Sequence, residues 1–437
     1  MIPSQRSFYV LLILLLVAIL TVVFPEQSIL ADAWITLLAL SGLILFADAL
    51  LMLKQSVPRI ERYLPDSLAL GITESVRLRI EHNKNYSLKI ALYDHHPLSI
   101  NATGLPQQFE LKPDGVTEVN YKITPTERGQ VTFSSVQLHL FSIFGFWKRN
   151  HKLPLPSTTR VYPNFASVAK YTLLAADNQL NQMGIRRRRR RGEGQNFHQL
   201  REYREGDPIR QIDWKASSRH RKLISREYQE ERDQDIIFLL DCGHRMMARD
   251  DTLSHFDHSL NAILLLAYVA LRQGDAIGFG SFSGEERWLQ PIKGSGRISH
   301  LFNTLYDIQP TPEAPDFIAA ANKLMLQQKK RALVILITNL RDEDNADLLP
   351  AIKMLQRKHL VLVASMREQA LDNVLETEIH EFKQAVQYSA TREYLSQRTQ
   401  AITKLQLSGA LCIDVIPQDL SVSLVNQYLE IKSSNTL

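Results

Sequence analysis

Two apolar stretches, Phe8–Phe24 and Ala33–Leu53, open this 437-residue chain, linked through Pro25-Glu26-Gln27-Ser28. Each approaches the roughly 20 residues that a bilayer-spanning helix needs. So short a link predicts a transmembrane helical hairpin. Arg6 precedes the first stretch and Lys54, Arg59 and Arg62 follow the second, while the link carries no Lys or Arg. By the positive-inside rule both ends face the cytoplasm, giving a multi-pass inner-membrane protein with two spans. A cleaved signal peptide is the alternative for the first stretch, but no A-x-A-type site follows it. Asp48 falls inside the second stretch. Intramembrane acids can mark function; so close to the cytoplasmic end, a carboxylate reaching the interface is the expectation.

The rest of the chain predicts a membrane-anchored multidomain protein: a hairpin at 1–54, a β-domain at 55–163, a basic connector at 164–199 and an α/β domain at 200–437. In the β-domain the apolar period is two. Val76, Leu78 and Ile80 alternate with Arg77, Arg79 and Glu81, and Val119, Tyr121 and Ile123 with Asn120 and Lys122. The alternation through Val131 and Phe133 resumes out of phase at Val136, Leu138 and Leu140, which predicts a bulge. Short strands broken by Pro, Gly, Asn and Asp read as a β-sandwich of immunoglobulin-like size. Asp94-His95-His96 invites a metal reading, but adjacent residues of a strand point to opposite faces. A loop without metal is expected there.

Lys and Arg total 51 against 46 Asp and Glu, a formal charge of +5. The run Arg186, Arg187, Arg188, Arg189, Arg190 and Arg191 supplies the whole excess, leaving 45 basic residues against the 46 acidic. The basic balance is therefore local. Such a run suits anionic headgroups, at about 1 kcal/mol per basic residue, or nucleic-acid phosphates. No aromatic residues interleave with it, which argues against base stacking. Membrane tethering or an acidic partner ranks above nucleic acid, and a solvated linker above each of these. Two cysteines, Cys242 and Cys412, beside or within apolar runs, suggest buried thiols in a reducing compartment.

The densest information lies in residues 200–231, where Arg, Lys, Glu and Asp crowd around Tyr203, Gly206 and Trp214. Asp207-Pro208 has the form of an N-cap and first helical Pro, which would place Ile209, Ile212 and Ala216 on one helix face. Arg210, Asp213 and Trp214 would then lie on or beside the other, free for a partner or an internal ion-pair network. In a second arrangement the block plugs a sheet edge, with Leu223–Tyr228 pairing beside Ile236–Leu240. The two weigh evenly, because Trp, Tyr and Arg fill interfaces and structural networks alike.

The order Leu-Arg-x-Tyr-x-x-Gly-Asp-x-x-Arg-x-Ile-Asp-Trp-Lys-Ala-x-x-Arg, from Leu200 to Arg219 and followed by Arg226-Glu227, resembles the hallmark of the domain of unknown function 58 family. Arg128-Gly129 and Phe144-Gly145 resemble that family's β-domain. One departure is Asn196-Phe197, where many relatives carry an acidic-aromatic pair. The resemblance implies a MoxR-type AAA+ ATPase as partner and an adaptor or scaffold role in assembling membrane or envelope complexes. Arg201, Tyr203, Gly206, Asp207, Arg210, Asp213 and Trp214 become the expected partner-binding residues.

Beyond Arg232, continuous apolar runs such as Ile236–Leu240 and Ala332–Thr338 alternate with helical stretches, the pattern of a doubly wound α/β sheet with right-handed crossovers. The segment 236–246 resembles the first strand of a von Willebrand factor A domain. The metal site of that fold takes Asp-x-Ser-x-Ser plus a Thr and an Asp. Here Asp241 stands in place, but the two Ser positions are Gly243 and Arg245, and Asn339 replaces the acid. Divalent cations need gathered oxygens, so no metal is expected; Asp342 and Asp344 are the remaining candidates. Asp241 would pair with Arg245 or cap the following turn. Among His244, His255 and His258, without a Cys or Glu partner at ligand spacing, a polar helix start outweighs zinc. Residues 280–284 place Phe282 where a nucleophile elbow needs Ser, and residues 293–297 lack Walker spacing. The expectation is a non-enzymatic protein without cofactors. A metal-dependent ligand-binding domain and a lipid or nucleic-acid binder working through the Arg run are the alternatives.

Overall fold

The computed structural model describes residues 1–24, 28–164, 196–204, 209–229, 234–250 and 253–434. The chain divides into two compact units, Met1–Tyr162 and Pro163–Leu437. The Arg186–Arg191 run lies outside the described residues, as do Gly206, Asp207 and Pro208.

In the first unit a short strand β1 (Ile2–Pro3) precedes α1 (Gln5–Val23) and α2 (Ser28–Leu53). Both helices are long and apolar enough to cross a membrane, and they show most of their apolar side chains outward. The strands that follow are β2 (Arg59–Tyr63), β3 (Ser67–Ala69), β4 (Glu74–His82), β5 (Leu88–His95), β6 (Ile100–Thr103), β7 (Gln107–Leu111), β8 (Gly115–Pro125), β9 (Gly129–Phe141) and β10 (Trp147–Tyr162). One sheet has the order β1-β10-β9-β5-β7 with β3 beside β10; the other runs β2-β4-β8-β6. Period-two alternation sets their inner faces: Val76, Leu78 and Ile80 are buried while Arg77 and Ser75 face out. The predicted bulge is present, and the pairing of β9 with β10 shifts register between Pro154 and Ser157.

That shift has a consequence. Arg62 of β2 reaches from the other sheet and donates to the Leu155 carbonyl (2.6 Å) and to Ser157 Oγ (3.0 Å). It also grips Asp94 of β5 through both carboxylate oxygens, at 2.9 and 2.5 Å, and Tyr121 of β8 donates to the same group at 2.7 Å. Asp94 and His95 therefore end a strand and are not the loop the sequence suggested. Buried in the core, the carboxylate is committed to an arginine.

Asp48 is held by the protein itself. It does not reach toward solvent but is buried, accepting from Ser142 Oγ (2.6 Å) and from the Phe144 and Phe146 N–H groups (3.2 and 3.3 Å). The same β9–β10 turn is held by the Ser4 N–H on the Phe146 carbonyl (2.8 Å) and by the Ser4 and Ser7 hydroxyls on the Gly145 and Phe146 carbonyls. The Trp147 indole N–H donates to the Leu45 carbonyl at 2.9 Å. Gly145 is required in this turn: its φ is +78°, and a Cβ would come 2.9 Å from the Arg6 guanidinium. The turn is latched to both helices.

The second unit begins with β11 (Asn196–Glu202), a 3-10 turn (Ile209–Gln211), α3 (Trp214–His220) and β12 (Ile224–Gln229). β12 pairs with β11 in a separate two-stranded sheet, not beside the Ile236–Leu240 run as the plug arrangement required. The main body comprises β13 (Asp235–Asp241), α4 (His255–Arg272), β14 (Ala276–Phe282), β15 (Trp288–Ile292), α5 (Ile298–Leu305), α6 (Phe317–Gln327), β16 (Ala332–Thr338), α7 (Asn345–Gln356), β17 (Leu360–Met366), α8 (Gln369–Glu376), α9 (Phe382–Leu407), β18 (Leu411–Val415) and α10 (Leu420–Ser433). The sheet order is β15-β14-β13-β16-β17-β18. All neighbours are parallel except β14 and β15, whose antiparallel hairpin replaces the expected crossover. Helices cover both faces. Ile236, Phe238 and Leu240 pack with α4 and α10, while Ile237 and Leu239 pack with α6, α7 and α9. A strand buried on both sides reads as a continuous apolar run.

Candidate functional site

The chain reverses its winding between β13 and β16, whose carboxyl ends form the crevice where open α/β sheets bind ligands. Asp241 stands at the first end and Thr338-Asn339 at the second. Asp241 accepts from the Gly243 N–H and from Thr338 Oγ1, both at 2.8 Å. Burial pushes its carboxyl above the ordinary range, opposed by those two donors. Asp241 thus caps the following turn, the second of the roles expected for it. Arg245 turns elsewhere, to Asp344 and to Glu343 (2.6 Å).

A neighbouring arginine closes the rest of the crevice. Arg398 of α9 is 2% exposed. It donates to Asp414 of β18 (2.7 Å), Ser365 Oγ (2.6 Å), the Met366 carbonyl (2.6 Å), Asn339 Oδ1 (3.3 Å) and the Leu340 carbonyl. One guanidinium therefore ties the carboxyl ends of β16, β17 and β18 together. Arg398 was not among the residues expected at the site. A signal was available: Arg398, Ala401 and Leu405 are spaced along one buried stripe of α9, and an Arg there needs an internal partner.

The residues do not fit the metal that a von Willebrand factor A resemblance implies. A Cβ at Gly243, where that site needs Ser, would meet the Glu313 carbonyl oxygen at 2.8 Å. Backbone already occupies the space of the missing hydroxyl. Arg245 holds the second Ser position, and the oxygens of Asp241 are engaged by Gly243 and Thr338. Among the described residues, no three His, Cys, Asp or Glu side chains gather as a metal site; the Asp342 side chain lies outside them. His255 begins α4 and faces Asp250 (3.0 Å), and Ser254 caps that helix with Asp257. Millimolar Mg2+ should therefore leave the thermal unfolding of the full-length protein unchanged by scanning calorimetry. An upward shift that disappears in Asp241→Ala would refute this.

The signature block gives a different picture. Asp213, not Asp207, caps the helix that carries Ala216, accepting from the Lys215 and Ala216 N–H groups at 3.0 Å each. Its second oxygen takes Arg226 Nε at 2.9 Å. The Ala216 N–H and then Arg226 hold this carboxyl below its usual range. Ser217 Oγ accepts from the Ile224 N–H at 2.8 Å, the Asp213 N–H donates to the Ile224 carbonyl, and the Tyr203 N–H donates to the Leu223 carbonyl. Arg201 Nη1 donates to the Glu202 carbonyl at 3.2 Å. The backbone of Arg210 lies in the 3-10 turn, and its side chain falls outside the described residues. Asp213 is thus part of the block's own frame. The large apolar groups are not: Ile209 is 72% exposed and Trp214 66%, with Leu223 and Leu200 also outward.

These features define a class: two membrane-length N-terminal helices, a mostly β region, and an α/β domain carrying a charged block before its first central strand. Residues 199–405 match the model of the family described as protein of unknown function DUF58, and this region of the chain is similar to that family. No curated protein matches the chain. Among solved structures, a FixG-related protein from Vibrio parahaemolyticus is 9% identical, with a TM-score of 0.19 over 24% of this chain and 98% of that one. A Salmonella alpha-2-macroglobulin mutant is 13% identical and the methylamine-reacted form 14%, each with a TM-score of 0.19 over 24% of this chain. The chain spans 7% of the length of those Salmonella proteins. Likenesses at such scores say nothing about this chain's fold or activity.

Proposed function

We propose that this protein is a non-enzymatic adaptor of the inner membrane, anchored by α1 and α2 with both ends in the cytoplasm. It presents an immunoglobulin-like β-domain and a degenerate von Willebrand factor A-like domain to a protein partner. A MoxR-type AAA+ ATPase is the partner suggested by the family resemblance, acting in the assembly or maturation of membrane or envelope complexes. One observation carries the reading: Ile209 and Trp214 stand outward on a block that Asp213, Ser217 and Arg226 hold together by internal hydrogen bonds. Trp and neighbouring apolar groups on a preorganised frame are typical anchors of a binding surface. The Arg245 and Arg398 contacts across the sheet's carboxyl end support binding over metal-dependent chemistry.

The test is co-purification of full-length protein from its own membranes, comparing wild type with Ile209→Ala/Trp214→Ala. Asp213→Ala is unsuitable, since it would remove the α3 cap. Loss of two anchors should weaken partner affinity about thirtyfold or more, with unfolding temperature unchanged. An AAA+ ATPase enriched with wild type and absent with the double variant is the expected result. Equal recovery with both proteins, or recovery with neither, would count against the adaptor assignment.

A further inference from the structure

A cavity of about 510 Å³ opens beside the start of α1, lined by Ser4, Arg6, Lys89, Glu110, Ile143 and Lys148 among others. It is built by elements far apart in sequence: the residues before the first apolar helix, the facing strands β5 and β7, and the latched β9–β10 turn. Three cations meet one carboxylate here. Glu110 is the cross-strand partner of Lys89, yet among the described residues Arg6, Lys89 and Lys148 form no ion pair. Arg6 Nη1 donates to the Phe144 carbonyl at 3.1 Å, which fixes one edge of the guanidinium and leaves its remaining donors to the cavity. Lys148 Nζ lies 5.3 Å from the Phe141 ring centre.

The apolar surroundings identify the ligand class. From Phe8 onward α1 is outward-facing and apolar, and Ile143 and Phe144 of the turn are 59% and 51% exposed. A ligand seated among the cations would have its polar end in the cavity and apolar surface running away along α1. An anionic phospholipid has that division. We propose that this cavity binds the phosphate headgroup of an anionic phospholipid of the cytoplasmic leaflet, with Arg6, Lys89 and Lys148 as its cationic contacts. Ile143 and Phe144 enter the acyl boundary beside the helices, and Asp48, by holding the turn, sets the depth of both. The inference rests on the membrane reading of α1 and α2, because that reading places the residues just before Phe8 at headgroup level. Each basic residue near an anionic surface contributes about a fivefold preference.

Full-length protein reconstituted in nanodiscs of phosphatidylcholine mixed with phosphatidylglycerol, then released for native mass spectrometry, reports which lipid stays bound. Wild type should retain phosphatidylglycerol over phosphatidylcholine by at least tenfold relative to their supply. Arg6→Gln/Lys89→Gln/Lys148→Gln should lose that preference. Arg77→Gln/Lys112→Gln/Lys122→Gln, which removes equal charge from exposed positions of the same unit, should keep it. Both variants must match wild type in circular dichroism and melting, and single substitutions serve if the triple variant does not. No preference in wild type, or equal loss in both triples, overturns the site. Displacement of phosphatidylglycerol by equimolar inorganic phosphate would mean a free-anion site and overturns the lipid assignment. The membrane reading fails separately, if the protein is soluble without detergent and retains no lipid of either kind.

Discussion

Arg398→Ala should lower the unfolding temperature of the second unit by roughly 10 °C. Arg398 is buried, and its guanidinium serves acceptors on three strand ends at once. Truncation leaves Asp414 without its cation and the Leu340 and Met366 carbonyls without their donor. Removing one partner of a buried pair costs about 3–5 kcal/mol, because the remaining charge stays desolvated. Arg398→Lys should recover only part of this, since an ammonium lacks the planar fork that reaches Asp414 and Ser365 together. Replacing both partners, Arg398→Met with Asp414→Leu, should cost less than Arg398→Ala alone. Melting of the full-length protein followed by circular dichroism decides it. An Arg398→Ala protein that melts with wild type would show that the network is dispensable.

The second large effect belongs to the first unit. Asp94→Ala strands Arg62, whose side chain, like that of Asp94, is 0% exposed. A loss of about 3–5 kcal/mol is expected, carried by the β-domain and not by the α/β domain. Limited proteolysis of the full-length variant should therefore cut first within residues 55–162, with the region from 234 onward protected as in wild type. Tyr121→Phe should be milder, about 1 kcal/mol, as it removes one of several donors to Asp94. Burial and then the adjacent carboxylate push the Tyr121 phenol above its ordinary range, so it should stay un-ionised in mildly alkaline buffer. Simultaneous loss of protection in both units would contradict the assignment of this network to the β-domain alone.

Much of the architecture was legible because it depends on local pattern. The period of two in residues 76–80 and 119–123 became paired strands, and the phase change at Ser134-Ser135 became a register shift. The strand Ala332–Thr338 has the ends that its apolar run suggested. Boundaries failed where a cap outweighed the periodicity. Asp213, not Asp207, starts the helix of the block, since its carboxylate finds two free N–H groups and an arginine from β12. The exposed first turns of α9, from Phe382, show little apolar pattern to mark its start.

The candidate site divides along the same line. Residue identity alone argued against a metal, because Gly243, Arg245 and Asn339 lack the acidic and hydroxyl oxygens that a hard cation requires. Family order alone singled out the block at 200–231. Neither could say where the charges go. Arg245 meets Asp344 across nearly a hundred residues of chain, Arg398 meets Asp414, Arg62 meets Asp94, and Asp48 meets a turn that follows it by as many again. Sequence determines which residues carry charge and which stretches must be buried, since both are properties of side chains and their spacing. Which carboxylate neutralises which arginine is a matter of distance in space. It is decided only once strands from remote parts of the chain are brought side by side and water is excluded between them.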